Sequence, residues 1–409
     1  MTAAPTFVDE LDCRRMGCNE QSGRTKMGSN MGIASRVATC TTALAFLLSA
    51  GGAAADAIVK IGHVAPLTGA SAHIGKDLEN GARLAVEEIN ANGLTIGGQK
   101  VTLELDAQDD AADPRAATQA AQRLVDDKVV GVVGHLNSGA SIPASKIYSE
   151  AEIVQISPAS TNPTYTLQGF KTTYRLVATD AQQGPALATY AAKSMKVKTM
   201  AIVDDSTAFG QGLANEFEKT SRQLGLTIMS HDATSDKAVD FRAILTKIKS
   251  EDPDAIMFGG MDSTGGPFAK QAKELGLRAK VLAGDGVCTD ELPSLAGKAA
   301  DNVVCSIAGM AVEKMDKGPA FEAKYQKHFH QAIQLYAPFA YDAVYIIVDA
   351  MRRANSIEPA RILAQMPTTD YKGVIGETRF DSKGDLKHGT ISIYRYIAGK
   401  KTLLDVEKM

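Results

Sequence analysis

The segment "VVGHLNSGASIPAS", residues 132–145, passes from apolar residues into small polar ones: His135, Asn137, Ser138, Gly139 and Ser141. The same texture returns in "IVQISPASTNP", 153–163, with Ser157, Ala159, Ser160 and Thr161. Hydroxyls and bare backbone N–H groups at the end of a buried strand can grip an anion. A carboxylate suits best where a helix also begins there and points its positive end at it. A helix is expected to start near Gly139, and Ser138 and Thr161 supply hydroxyls able to donate. Each turn taken alone is equally an ordinary strand-to-helix turn with its own N-cap; two in consecutive units give the ligand reading its weight. Opposite in charge is Asp285, in "AGDGVC" just past the apolar "KVLA". Between Gly284 and Gly286 it could present a carboxylate to an ammonium, or only bond its own backbone as a turn residue.

Signatures of catalysis are incomplete. "GQGLANEF" (210–217) begins like a dinucleotide-binding glycine motif, but Asn215 stands at the third glycine position, which leaves a helix N-terminus. Neither Ser138 nor Ser263 sits in a G-x-S-x-G elbow. His328 and His330 flank Phe329 on a charged stretch that reads as solvated. His63, His73, His135, His231 and His388 show no metal-ligand spacing. "DAQDDAADP" lacks the spacing of a calcium loop and is expected to hydrate a turn. No cofactor and no metal are expected.

The elements that must hold these residues alternate regularly. "IVKIGHVAP" (58–66), "VVGVVG", "TMAIVDD" (199–205), "DAIMFGG" (254–260) and "KVLAGDG" (280–286) read as Val/Ile-rich buried strands. "DLENGARLAVEEINANG" (77–93) repeats apolar residues on one helical face and stops at Gly93. Asp113 followed by Pro114 is an N-cap with proline in the first helical turn. The alternation restarts near Asp180, so the chain holds two α/β lobes with parallel sheets, and ligands in such sheets bind beyond the carboxyl ends of the strands. After residue 310 the sequence is mostly helical (319–352), then gives two strands, "GETRF" and "ISIYRYI". These are too few for a third domain and are expected to complete the earlier lobes.

Composition narrows the function. The chain has 409 residues, 44% hydrophobic and 22% charged, with 44 Lys+Arg against 47 Asp+Glu and a net charge of -3. That balance offers no basic field to nucleic acid. Trp is absent and aromatics make up 6%, which disfavours a sugar-stacking platform. Residues 1–55 belong to another class: Arg36, the apolar run 37–50 and the small residues "GGAAADA" form a secretory signal, with cleavage expected after Ala55. Met1, Met27 and Met31 are all possible starts. Cleavage would remove Cys13, Cys18 and Cys40 and leave Cys288 and Cys305, which in an exported protein read as a disulfide or as two buried thiols.

"VKIGHVAPLTG", "GARLAVEEINANG", "QDDAADP", "VVGHLNSGASIPAS", "ISPASTNP", "GQGLANEF" and "YAPFAYDAVY" together resemble the branched-chain amino-acid-binding proteins of bacterial ABC transporters, in motif order over 58–409. The resemblance implies a type I periplasmic binding protein: two doubly wound lobes, 58–178 with 310–391 and 179–309 with 392–409, joined by a three-crossover hinge. It implies a monomer that closes on an aliphatic amino acid and delivers it to an inner-membrane permease. It also implies that Ser138, Ala159 and Thr161, with Ser160 beside them, hold the α-carboxylate and α-ammonium. Phe209 stands where the family often has a closing Tyr, Asp285 at the acidic ammonium position, and Tyr341 at a pocket Tyr. Ile74 and Met261 replace Tyr of some members, and Ala112 and Asn137 stand at the family's first-lobe disulfide positions. Two readings compete: an exported sensor of an amide or small amino acid that feeds a regulator, and a secreted α/β hydrolase.

Overall fold

The computed structural model describes residues 56–409, so the signal expected over 1–55 lies outside the described residues. In chain order come β1 (Ala57–Ala65), α1 (Ala72–Asn92), β2 (Leu94–Ile96), β3 (Gln99–Asp109), α2 (Pro114–Asp126), β4 (Gly131–Gly134), α3 (Ser138–Glu150), β5 (Val154–Ser157), α4 (Thr164–Leu167) and β6 (Thr173–Arg175). They build a sheet ordered β2-β3-β1-β4-β5-β6, parallel except where β2 turns back on β3. The Asp113 side chain accepts from the backbone N–H groups of Arg115 and Ala116 and starts α2 as its spacing requires. Helix α1 begins five residues earlier than its apolar period indicated and ends at Gly93.

The second set is α5 (Asp180–Lys193), β7 (Thr199–Asp204), α6 (Ala208–Gln223), β8 (Thr227–Ala233), α7 (Arg242–Glu251), β9 (Ala255–Gly259), α8 (Asp262–Glu274), β10 (Lys280–Ala283), α9 (Leu292–Ala296) and β11 (Val303–Ile307). The chain then returns to the first sheet with α10 (Gly318–Phe329), α11 (Ala337–Ala354) and α12 (Pro359–Leu363), where α11 packs on α1, β4 and β5. At Gly81 the two helices come so close that a Cβ would stand 2.2 Å from the Ala337 carbonyl oxygen. The short hairpin β12 (Tyr371–Lys372) and β13 (Glu377–Thr378) follows. Finally β14 (Thr390–Ile397) and β15 (Lys400–Lys408) extend the second sheet, ordered β15-β14-β11-β10-β9-β7-β8.

The chain thus passes between the sheets three times, after β6, after β11 and before β14. Both sheets are parallel as expected except at one edge, where β2 joins antiparallel in the first and β14 and β15 in the second. Cys288 and Cys305 form a disulfide with Cα atoms 5.4 Å apart.

The acidic stretch 106–113 is built into the fold rather than merely hydrated. Asp109 accepts from the backbone N–H of Leu67 and Ala111, and Asp110 is fully buried against His135. His63 on β1 is also fully buried, and neither ring nitrogen has a well-formed hydrogen bond. Burial lowers its pKa to about 4. An unfolded His63 takes up a proton below its ordinary pKa near 6.5, whereas the folded one resists until about pH 4, so acid progressively favours unfolding across that window. The gap corresponds to about 3 kcal/mol. The melting temperature of His63→Leu should fall less than that of the parent between those two pH values; parallel curves would show that His63 contributes nothing to acid lability.

Candidate functional site

Both polar turns lie where the sequence placed them, at the carboxyl ends of β4 and β5. Many of their hydroxyls hold the turns to one another. The His135 carbonyl accepts from Ser157 Oγ at 2.9 Å, Ser160 Oγ donates to the Leu136 carbonyl at 3.0 Å, and Ser141 and Ser160 hydroxyls meet at 2.6 Å. His135 is held in turn, with Nδ1 2.7 Å from Asp110 Oδ2 and Nε2 3.2 Å from the Tyr148 hydroxyl. Ser160 therefore works within the turn, while Ser138 Oγ accepts only from the Asn162 N–H, at 3.2 Å, and keeps its own proton to donate.

A cavity opens between these turns and the second sheet. Its walls are Leu136, Asn137, Ser138 and Ala159 on one side, and Phe209, Met261, Asp285 and Gly286 on the other, with Tyr336 at the end. At about 20 Å³ it has room for about one water, so any larger ligand requires its walls to move. A wider space of about 790 Å³ adjoins it past Asn137, Phe209 and Met261. Gly286 serves close approach rather than turning: a Cβ there would meet Met261 Sδ at 2.8 Å and Phe209 Cε1 at 2.9 Å.

Asp285 starts a single 3-10 turn (Asp285–Val287) beyond β10. It is buried, accepts from the Tyr336 hydroxyl, and leaves Oδ1 without a well-formed hydrogen bond. Burial raises its pKa to about 6, opposed by the Tyr336 and Gln183 side chains. Asp180, in the first turn of α5, is fully buried with neither oxygen in a hydrogen bond of good geometry. Burial lifts it to about 8, with the nearby Thr161 hydroxyl pulling the other way and the Asp285 charge adding to the rise. Thr161 Oγ1 and both polar atoms of Gln183 are likewise buried without a well-formed bond. Two buried carboxylates, a hydroxyl and an amide thus converge with unspent hydrogen-bonding capacity. Buried polar atoms are ordinarily paired, and the oxygens of this set would be satisfied by a cation with several N–H donors.

Residues 58–401 match the family described as periplasmic binding protein. The chain belongs to this family. Among similar proteins, this periplasmic binding protein is 36% identical over 353 residues to a Leu/Ile/Val-binding protein of Rhizobium johnstonii, covering 85% of this chain and 94% of that one. It resembles a leucine binding protein of Thermotoga maritima with a TM-score of 0.79 and 28% identity, over 85% of this chain and 98% of the other. A branched-chain amino acid transporter substrate binding protein of Streptococcus pneumoniae, solved with isoleucine, matches with a TM-score of 0.77 and 27% identity, over 86% and 100%.

Of the residues expected at the site of this periplasmic binding protein, the fold brings Ser138, Ala159, Phe209, Met261 and Asp285 around one cavity, with Thr161 beside Asp180. Ile74 is buried in the hydrophobic core and is not among the cavity's walls. Tyr341 is elsewhere too: its hydroxyl donates to Glu88 and its ring packs on Phe321 and Tyr345. Tyr336, five residues earlier, is the tyrosine at the cavity. Asp77 on α1 places it by accepting the N–H groups of Gln334, Leu335, Tyr336 and Ala337 at 2.8–3.0 Å. Sequence reasoning passed over Tyr336, Asp180 and Gln183. The one local signal was an aspartate opening the helix that follows β6. Among the described residues no cluster suited to a metal ion occurs, and no helix is long and apolar enough to cross a membrane.

Proposed function

We propose that this protein is the periplasmic substrate-binding component of an ABC importer and captures an aliphatic, branched-chain L-amino acid between its lobes. The observation that carries the reading is the convergence of buried groups with unspent hydrogen-bonding capacity: the oxygens of Asp180, Asp285, Gln183 and Thr161 suit the α-ammonium, and Ser138 at the start of α3 suits the α-carboxylate. Leu136, Phe209 and Met261 line the cavity beside Ser138 and Asp285 and suit an apolar side chain. The relatives named for leucine, isoleucine and valine support the same class. A ligand held by both lobes favours their closed arrangement through its differential affinity, which gives a permease something to distinguish. The apolar run behind Arg36 supports export, with residues 1–55 removed and the mature protein acting as a monomer.

A thermal-shift survey of the proteinogenic amino acids on residues 56–409, followed by calorimetry, tests the proposal. Leucine, isoleucine or valine should stabilise most; glutamate or lysine should do little, because an unpartnered buried charge costs several kcal/mol. Glutamate binding more tightly than leucine would overturn the aliphatic assignment. Phe209→Ala should weaken every good ligand by about 1–3 kcal/mol, the worth of a buried apolar wall.

A further inference from the structure

Among the described residues, one ion pair between the lobes involves a histidine. His73 is on α1, which packs on β1 and β3 of the first sheet. Its Nε2 lies 2.7 Å from Oδ2 of Asp262, the first residue of α8. Helix α8 is fixed to the second sheet by Phe268 stacking near Phe258 of β9, with ring centroids 4.8 Å apart. The histidine side chain is 26% exposed and the aspartate fully buried. Asp262 also accepts from the Thr289 hydroxyl at 2.5 Å, while its Oδ1 has no hydrogen-bond partner. Among the described residues no lysine or arginine pairs with Asp262. Besides Asp262, His73 faces the Glu291 carboxylate of the second lobe and the Ala70 carbonyl of its own, and the Tyr396 ring of β14 stands near Asp262.

We propose that His73 is a positioning residue for ligand capture: protonated, it latches the first lobe to the buried Asp262 of the second, so that mild acid favours closure. This rests on the two-lobe capture reading above. The pair can form only when α1 and α8 meet, and parting the lobes would leave Asp262 without its counter-charge and return His73 to water. The hydrogen bond to Asp262 holds the His73 pKa above its ordinary value when the lobes are together. The sign follows. A group whose pKa is raised on closing contributes fully below its open-form pKa, near 6.5, and the contribution is lost as pH rises through the closed-form value. Closing therefore takes up a proton.

The test compares the parent with His73→Gln and with Asp262→Asn, which retains an acceptor for Thr289. Small-angle scattering of ligand-free protein at about pH 6 and about pH 8 should show the parent more compact at the lower pH, near the ordinary histidine value. Both variants should lose most of that difference. In calorimetry, the ratio of leucine Kd at about pH 8 to that at about pH 6 should be about threefold or more larger for the parent than for His73→Gln. Comparing the ratios cancels the titration of Asp180 and Asp285, which both proteins share. If His73→Gln keeps the parent's scattering response and Kd ratio, the latch is wrong. Scattering needs no ligand, so failure of leucine to bind would count against the capture reading, and an unchanged scattering response against the latch.

Discussion

Replacing Arg175 by alanine should cost about 3–5 kcal/mol of stability, the usual penalty for removing one partner of a buried ion pair. The Arg175 side chain is fully buried at the end of β6. Its Nε donates to Asp385 at 2.5 Å, and Nη2 donates to the Thr166 hydroxyl at 2.8 Å. Nη1 donates to the carbonyls of Ser160 at 2.8 Å and Asn162 at 3.1 Å. The guanidinium thus ties the second polar turn to the segment before the last crossover. Alanine would leave Asp385 without its cation and two turn carbonyls without their donor. Because those carbonyls flank Thr161, the loss should reach the ligand as well as the fold. Denaturant unfolding should show the lower midpoint, and calorimetry a weaker leucine affinity that Arg175→Lys restores only in part, since an ammonium lacks the forked geometry. An unfolding free energy within about 1 kcal/mol of the parent would mean that the network is not a unit.

The fold was legible where local signals agree. Val/Ile runs bounded by turns marked β1, β4, β7, β9 and β10, and Asp113–Pro114 marked the start of α2. The serine-rich turns were legible as a place but not residue by residue. Ser138 and Ser160 look alike in sequence, yet Ser160 is occupied by the Leu136 carbonyl and the Ser141 hydroxyl. Tyr336 and Tyr341 also look alike. What separates them is Asp77, some 260 residues away in the chain, which fixes the backbone of residues 334–337 and sets Tyr336 against Asp285. Asp180 was masked by a local explanation: Thr179 and Gln182 form a capping box, and an acidic residue in the first turn of such a helix needs no other reason. Its distinguishing property, a carboxylate fully buried beside another, depends on the packing of α5 against α6 and cannot be read from neighbouring residues.

Asp285→Asn should weaken leucine binding at least tenfold, since a charge-assisted hydrogen bond contributes about 1.5–3 kcal/mol. Asparagine keeps the size and one acceptor for the Tyr336 hydroxyl, so the apo melting temperature should change little. Asp180→Asn should weaken binding by a similar factor and carry a second signature. With the lobes together and no ligand between them, burial pushes the Asp180 carboxyl up to about 8, which favours its protonated form at neutral pH. An arriving ammonium favours the carboxylate, and the proton must leave. Binding through Asp180 therefore releases a proton, and its contribution to affinity grows as pH rises toward about 8. Calorimetry in two buffers of different ionisation heat should detect that release in the parent, and Asp180→Asn should lose it. 4-Methylpentanoate, which has the side chain and carboxylate of leucine without the ammonium, should bind poorly to all three proteins and be weakened no further by either substitution. If Asp285→Asn and Asp180→Asn both bind leucine as tightly as the parent, the paired carboxylates do not hold the ammonium, and the unpaired buried groups need another occupant.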